Sequence, residues 1–291
     1  MTNRTLRFAA ALAVLLAAAC ARGEGGATGP SAAPLPYGPD DLVLQVGYTG
    51  GSVPPGMPAG RLPLLSVYGD GRVITEGPVA AIHPGPALPN LQVQQIGTAA
   101  VQTLVDRALD AGVGDEVDVG TPGIADAPTT RFTVSTGLET LISEVYALTE
   151  TDGDDSGLTP GQVGARQELR GLLDALTDLP GTLGADALSV SQPYVPTAVG
   201  ALVSPYLPPD DADPNQADMP WPGPALPGEP LGPRLGLTCV VATGDDVTAV
   251  LDAGRSANSL TPWLSADGAR WSVTLRPLLP EESSCADLPG A

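Results

Sequence analysis

Leu62–Thr75 reads LPLLSVYGDGRVIT, two apolar-rich runs, Leu62 to Tyr68 and Arg72 to Thr75, separated by Gly69-Asp70-Gly71. Glycine supplies the positive φ that a tight reversal needs, so this stretch predicts a β-hairpin. Working outward, Leu42-Val43-Leu44-Gln45-Val46 reads as a preceding strand and Thr49 to Gly60 as a Gly/Pro loop. On the other side, Val101, Leu104, Val105, Ala108 and Leu109 share one face of a helix over Thr98 to Ala111, which stops at Gly112. Thr130 to Ser135 and Thr140 to Leu148 predict a second hairpin across Thr136-Gly137. Thr159-Pro160-Gly161-Gln162 announces another helix: a capping Thr, Pro at the first helical position and Gln at the third. Leu169, Leu172, Leu173 and Leu176 line its apolar face until Pro180-Gly181.

Between Pro205 and Pro233 ten prolines are mixed with Asp and Gly, which excludes a strand or helix interior and predicts an irregular linker or strap. The last unit comprises a strand from Leu235 to Ala242, a helix from Asp245 to Ala257 and a strand from Arg270 to Arg276. Gly97–Asp106 and Gly244–Asp252 echo one another with one deletion, each after a short strand, which raises a duplicated strand-helix unit as one reading. The fold class expected is α+β, antiparallel hairpins with about three helices packed on one side. The divisions expected are 1–19, 20–40, an α+β body over 41–204, a Pro/Asp-rich linker or strap over 205–234, and a strand-helix-strand unit over 235–291.

All 13 basic residues are Arg, which excludes a Schiff-base lysine, a Ser-x-x-Lys nucleophile and a P-loop lysine. The abundance of Ala, Gly, Pro and Val beside Arg suggests GC-rich coding and an actinobacterial source. A net charge of −20 counts against nucleic acid as a partner, since neutralising phosphates needs a basic patch.

The first residues read as a leader: Arg4 and Arg7, an apolar run from Phe8 to Leu16, then Ala17-Ala18-Ala19-Cys20. A run of about 12 apolar residues is short of the roughly 20 that span a bilayer. The pattern resembles the lipobox of bacterial lipoproteins, with Ala17 at the usual Leu position. The resemblance implies a diacylglyceryl group on Cys20, cleavage before it, and a lipid-anchored protein on the extracytoplasmic face of the cell membrane. Ala17-Ala18-Ala19 also fits the A-x-A rule of ordinary signal peptidase, which would secrete a soluble protein beginning at Cys20. Residues 20–40 then form a flexible tether. With Arg276-Pro277-Leu278-Leu279-Pro280 near the end, the whole layout resembles secreted actinobacterial lipoproteins of unassigned function, which brings no catalytic residues. An exported chain meets an oxidising compartment, so Cys239 and Cys285 are expected to form a disulfide.

His83, the single histidine, sits in a Pro/Gly-rich loop with no Gly-x-Ser-x-Gly elbow anywhere, so it reads as an exposed loop residue. Asp152-Gly153-Asp154-Asp155-Ser156-Gly157 resembles half of an EF-hand loop, making Asp152, Asp154 and Ser156 candidate Ca²⁺ ligands. Val163 stands where the bidentate Glu would be, and a solvated acidic turn before the helix explains the run equally. The Asp210-Asp211-Ala212-Asp213 run reads as a hydrated linker. Trp221, flanked by Pro220 and Pro222, is a candidate exposed contact, with Trp263 and Trp271 as core anchors. No cofactor is expected apart from that calcium. The sequence points to a non-catalytic binding or envelope-assembly module, with a lipid or small-molecule carrier and a carboxylate-dependent hydrolase as alternatives. A cavity above about 300 Å³ would mark the carrier.

Overall fold

The computed structural model describes residues 36–54, 56–151, 157–208, 216–232 and 236–290. Strands β1 (Leu42–Gly50), β2 (Leu65–Tyr68), β3 (Arg72–Glu76), β4 (Leu91–Gln95), β5 (Pro128–Ser135), β6 (Thr140–Tyr146) and β7 (Gln192–Pro193) form a seven-stranded sheet in the order β6-β5-β1-β2-β3-β4-β7. Strands β8 (Ala198–Pro205), β9 (Met219–Pro220), β10 (Glu229–Pro230), β11 (Thr238–Thr243), β12 (Pro262–Leu264) and β13 (Arg270–Pro277) form a second, in the order β10-β11-β8-β13-β12-β9. The helices are α1 (Met57–Gly60), α2 (Thr98–Asp110), α3 (Pro160–Thr177), α4 (Leu179–Leu183) and α5 (Asp245–Ser256). The fold is α+β, with both sheets mainly antiparallel.

The hairpin at the centre of the first sheet forms as its sequence dictates. Leu65 pairs with Thr75 and Val67 with Val73, and Gly71 closes the turn by donating its N–H to the Tyr68 carbonyl at 2.9 Å. Gly71 has φ +86°, and a Cβ there would lie 2.2 Å from the Ile96 carbonyl oxygen, so only glycine fits. Inward-facing residues of this sheet, among them Val46, Val67, Phe132 and Val145, bury against Val101, Leu104 and Val105 of α2 and Leu169, Leu172 and Leu176 of α3. Leu109, expected on the buried face of α2, is 37 % exposed, because at about 100° per residue it falls at the margin of the stripe formed by Val101, Leu104, Val105 and Ala108. The start of α3 has the expected reciprocal cap: Thr159 N–H donates to Gln162 Oε1 at 2.8 Å, and Gln162 N–H donates to Thr159 Oγ1 at 3.4 Å.

The second sheet is built around β8, which pairs with β11 on one side and β13 on the other. It therefore takes strands from both sides of the 205–234 segment, and the described residues form one compact unit. Within that segment β9 and β10 are two-residue strands at the sheet's two edges, where a missing proline N–H leaves no ladder bond unmade. Helix α5 packs Val247 and Val250 on one face of this sheet, while α1 and the chain's last residues cover the other. The strand-glycine-helix corner is used twice, at β4 to α2 and at β11 to α5. The next hairpin runs oppositely in the two cases: β5, the first strand after α2, pairs with β1, whereas β13, the second strand after α5, pairs with β8. The repetition therefore stops at the corner. Among the described residues, no helix is long and apolar enough to cross a membrane.

Candidate functional site

After β13 the chain passes from one sheet to the other. Leu278 packs into the core of the second sheet, while Leu279, the next residue, packs with Tyr68, Ile74 and Leu91 on the outer face of the first. Consecutive residues of an extended chain point to opposite sides, so a Leu-Leu pair between two prolines can join two apolar surfaces. Residues 280–290 then form a clasp held by polar contacts.

Arg276 and Glu282 anchor it. Arg276 is 1 % exposed and donates from Nη2 to Glu282 Oε1 at 2.8 Å and from Nη1 to Oε2 at 3.0 Å. Oε2 also accepts the Leu279 N–H at 2.8 Å. Burial pushes the Glu282 carboxyl above its ordinary pKa, against the opposing pull of Arg276 and the Leu279 N–H. A charge pair in this position is costly to desolvate and holds only because the fork is bidentate. Glu281 reaches the first sheet, accepting from the Tyr68 hydroxyl at 2.7 Å and from Gln45 Nε2 at 3.1 Å. Tyr68 is fully buried, and burial together with the neighbouring Glu281 carboxylate drives its phenol far above the usual range. The Tyr194 hydroxyl donates to the Leu278 carbonyl at 2.9 Å, and burial pushes its pKa up to about 12. Further on, Asp287 Oδ2 accepts the backbone N–H groups of Ser283 and Ser284, each at 2.9 Å, which holds its carboxyl below the ordinary range. The Cys239–Cys285 disulfide, with its Cα atoms 6.1 Å apart, ties the clasp to β11 as the sequence predicts.

Between the clasp and the outer face of the first sheet lies an open cleft of about 560 Å³. Its floor is Gln45 of β1, Arg131 and Thr133 of β5 and Ile142 of β6; Arg61 and the clasp's Glu281 form walls. Arg61 donates from Nη1 to the Tyr48 and Gly50 carbonyls at 3.2 and 3.1 Å, and Arg131 pairs with Glu144 at 3.0 Å. Three of the chain's arginines, Arg61, Arg131 and Arg276, thus line one concavity of a strongly acidic protein. The buried Arg276 Nε has no hydrogen-bond partner among the described residues. The arrangement can bind a polar ligand by hydrogen bonds from guanidinium, amide and hydroxyl groups. It is poorly arranged for acid-base catalysis, because the acceptor oxygens of Glu281 and Glu282 are already engaged in holding the clasp.

The candidates named from sequence fall elsewhere. Cys20, Asp152, Asp154, Ser156 and the Asp210 run lie outside the described residues. Among the described residues, no group of three or more His, Cys, Asp or Glu side chains is placed to hold a metal ion. Trp221, expected as an exposed contact, is half-buried: its ring meets the buried Trp263 edge-on at 5.5 Å and its Nε1 donates to the Pro224 carbonyl at 2.6 Å. The flanking prolines fold the chain back over the indole, turning the ring into the core beside α5. His83 is exposed in its loop. Reasoning from sequence missed the clasp, although Arg276 and Glu282 flanking an apolar Pro-Leu-Leu-Pro run were a signal that charges there would be desolvated. Compared with family models, curated proteins and solved structures, the chain matches none.

Proposed function

We propose that this protein is a lipid-tethered extracytoplasmic binding module that takes a polar small molecule or peptide group into the cleft beneath the clasp. The observation that carries the reading is the construction of the cleft. A buried ion pair, a phenol-carboxylate hydrogen bond and a disulfide fix its rim, and preorganised donors bind at lower entropic cost than mobile ones. At about 560 Å³ its volume falls in the range of small-molecule sites. Its lining mixes Arg61, Arg131, Gln45 and threonine hydroxyls with the carboxylates of Glu281 and Asp287 and with Leu42, Leu62 and Ile142, which suits a ligand bearing both hydrogen-bonding and apolar groups better than a bare acyl chain. The lipobox-like Ala17-Ala18-Ala19-Cys20 supports the tether, and a disulfide suits the oxidising side of a membrane.

The test is native mass spectrometry of the full chain purified from its producing membranes, compared with a Thr133→Trp variant that fills the cleft floor. The reading expects a stoichiometric small-molecule adduct, released on denaturation and absent from the variant. A bare polypeptide mass, or an adduct that persists in Thr133→Trp, contradicts it.

A further inference from the structure

Four strand edges bound the two sheets, and three of them are blunted in the same way. β7 (Gln192–Pro193), β9 (Met219–Pro220) and β10 (Glu229–Pro230) are each two residues long and each ends in proline. Short edges and prolines are how folded proteins prevent further strand pairing. The fourth edge, β6, is seven residues long, TLISEVY, and contains no proline.

Its free hydrogen-bonding groups can be assigned. Val46 gives its carbonyl to the Leu64 N–H on the β2 side, so its β5 partner Phe132 turns its own N–H and C=O toward β6. Ser143, opposite Phe132, turns back to meet them. The alternate residues Thr140, Ile142 and Glu144 therefore direct N–H and C=O outward. The same parity places the Tyr146 carbonyl outward, where Arg166 Nη2 donates to it at 2.8 Å. No described group takes the outward amides of Ile142 or Glu144. Beside this edge, on the helix side, runs a groove of about 390 Å³ between β6, the end of α2 and α3. Asp110, Asp115 and Glu168 border it, the Glu144 carboxylate being turned to Arg131 on the other face; Val117 and Leu169 give it apolar wall, and no arginine lines it. Leu138, at the start of the edge, is 96 % exposed.

We propose that β6 is a docking edge for an extended, arginine- or lysine-bearing segment of another protein, which adds to the first sheet as an eighth strand. Main-chain pairing with Ile142 and Glu144 holds the segment, and its alternate side chains enter the acidic groove. Charge decides the occupant. A second copy would set the same three carboxylates against its own in a chain of net charge −20, whereas a basic segment neutralises them. The edge adjoins the cleft, whose floor includes Ile142, but the main-chain pairing does not depend on a ligand there.

The test is fluorescence anisotropy of the full chain in detergent with a labelled heptapeptide alternating Arg and Val, and with its Glu-for-Arg counterpart. The proposal expects saturable binding of the Arg peptide only. Ile142→Pro, which removes an outward N–H without touching the β5 ladder, should weaken binding by about tenfold or more, and Ile142→Thr by no more than about threefold. Peptides N-methylated at alternate residues give the same answer without altering the protein: one methylation parity should abolish binding and the other leave it. Equal binding of both methylation parities or both charges, or no saturable binding, overturns the proposal. So does a concentration-dependent dimer abolished by Ile142→Pro, which would make the occupant a second copy.

Discussion

The two faces of the first sheet are held by different forces. The inner face is apolar, with Leu104 of α2 and Leu172 of α3 buried against Val67 and Phe132. The outer face carries a clasp whose contacts are directional: Arg276 to Glu282, Tyr68 to Glu281, Tyr194 to the Leu278 carbonyl. Apolar burial is proportional to area and tolerant of geometry, so it makes the fold without fixing any one opening. Hydrogen bonds and a bidentate ion pair hold atoms within tenths of an ångström, which shapes a cleft. The difference teaches that fold and site can be altered separately.

Breaking the ion pair should have the largest effect. Arg276→Ala leaves the Glu282 carboxylate buried and unpaired and should cost about 3–5 kcal/mol in urea denaturation. Replacing both partners, Arg276→Met with Glu282→Leu, should recover most of that loss, since no charge is then stranded. Replacing Cys239 and Cys285 by Ala should lower stability by about 3–4 kcal/mol, the chain-entropy value for a loop of this length, their separation being 46 residues. On the other face, Leu104→Ala should cost about 3 kcal/mol and leave ligand uptake in the cleft unchanged in the surviving folded protein. Glu281→Ala orphans the buried Tyr68 hydroxyl and should cost about 1–2 kcal/mol, reducing ligand uptake more than stability.

The smallest effect at neutral pH, and the most specific to the clasp side, is alkaline. Tyr68 and Tyr194 have folded pKa values above the ordinary 10, so the folded state keeps their protons longer than the unfolded chain does. Their contribution is complete below pH 10 and falls as pH rises through the window from 10 to about 12 set by Tyr194. Denaturation midpoints followed from pH 9 to 12 should show this decline, and Tyr194→Phe should reduce its slope to about half, leaving the part due to Tyr68.

Much of the first sheet could be read from sequence because its signals are local. Gly69-Asp70-Gly71 marks a turn, the α2 and α3 leucines keep a helical period, and Thr159 with Gln162 spells a cap. Strand β8 gave no such signal. Ala198-Val199-Gly200-Ala201-Leu202-Val203 is buried on both faces, so it lacks alternation, and a short continuous apolar run does not distinguish strand from helix. Without β8 the C-terminal strands had no visible partner and read as a separate unit. The site was hidden for a related reason: Tyr68 and Glu281 are 213 residues apart, and nothing local reports that they meet. Trp221 misled because flanking prolines suggest exposure, while the indole is placed by Trp263, 42 positions away in the chain.

The most direct test of the separation between fold and clasp is hydrogen exchange of Glu281→Ala against the unaltered chain. The account predicts that amides of residues 278–290 exchange about tenfold faster, the equivalent of ~1.4 kcal/mol, while those amides of α2, α3 and β5 that exchange through local openings are unchanged. Equal acceleration throughout, or no change in the clasp, would contradict it.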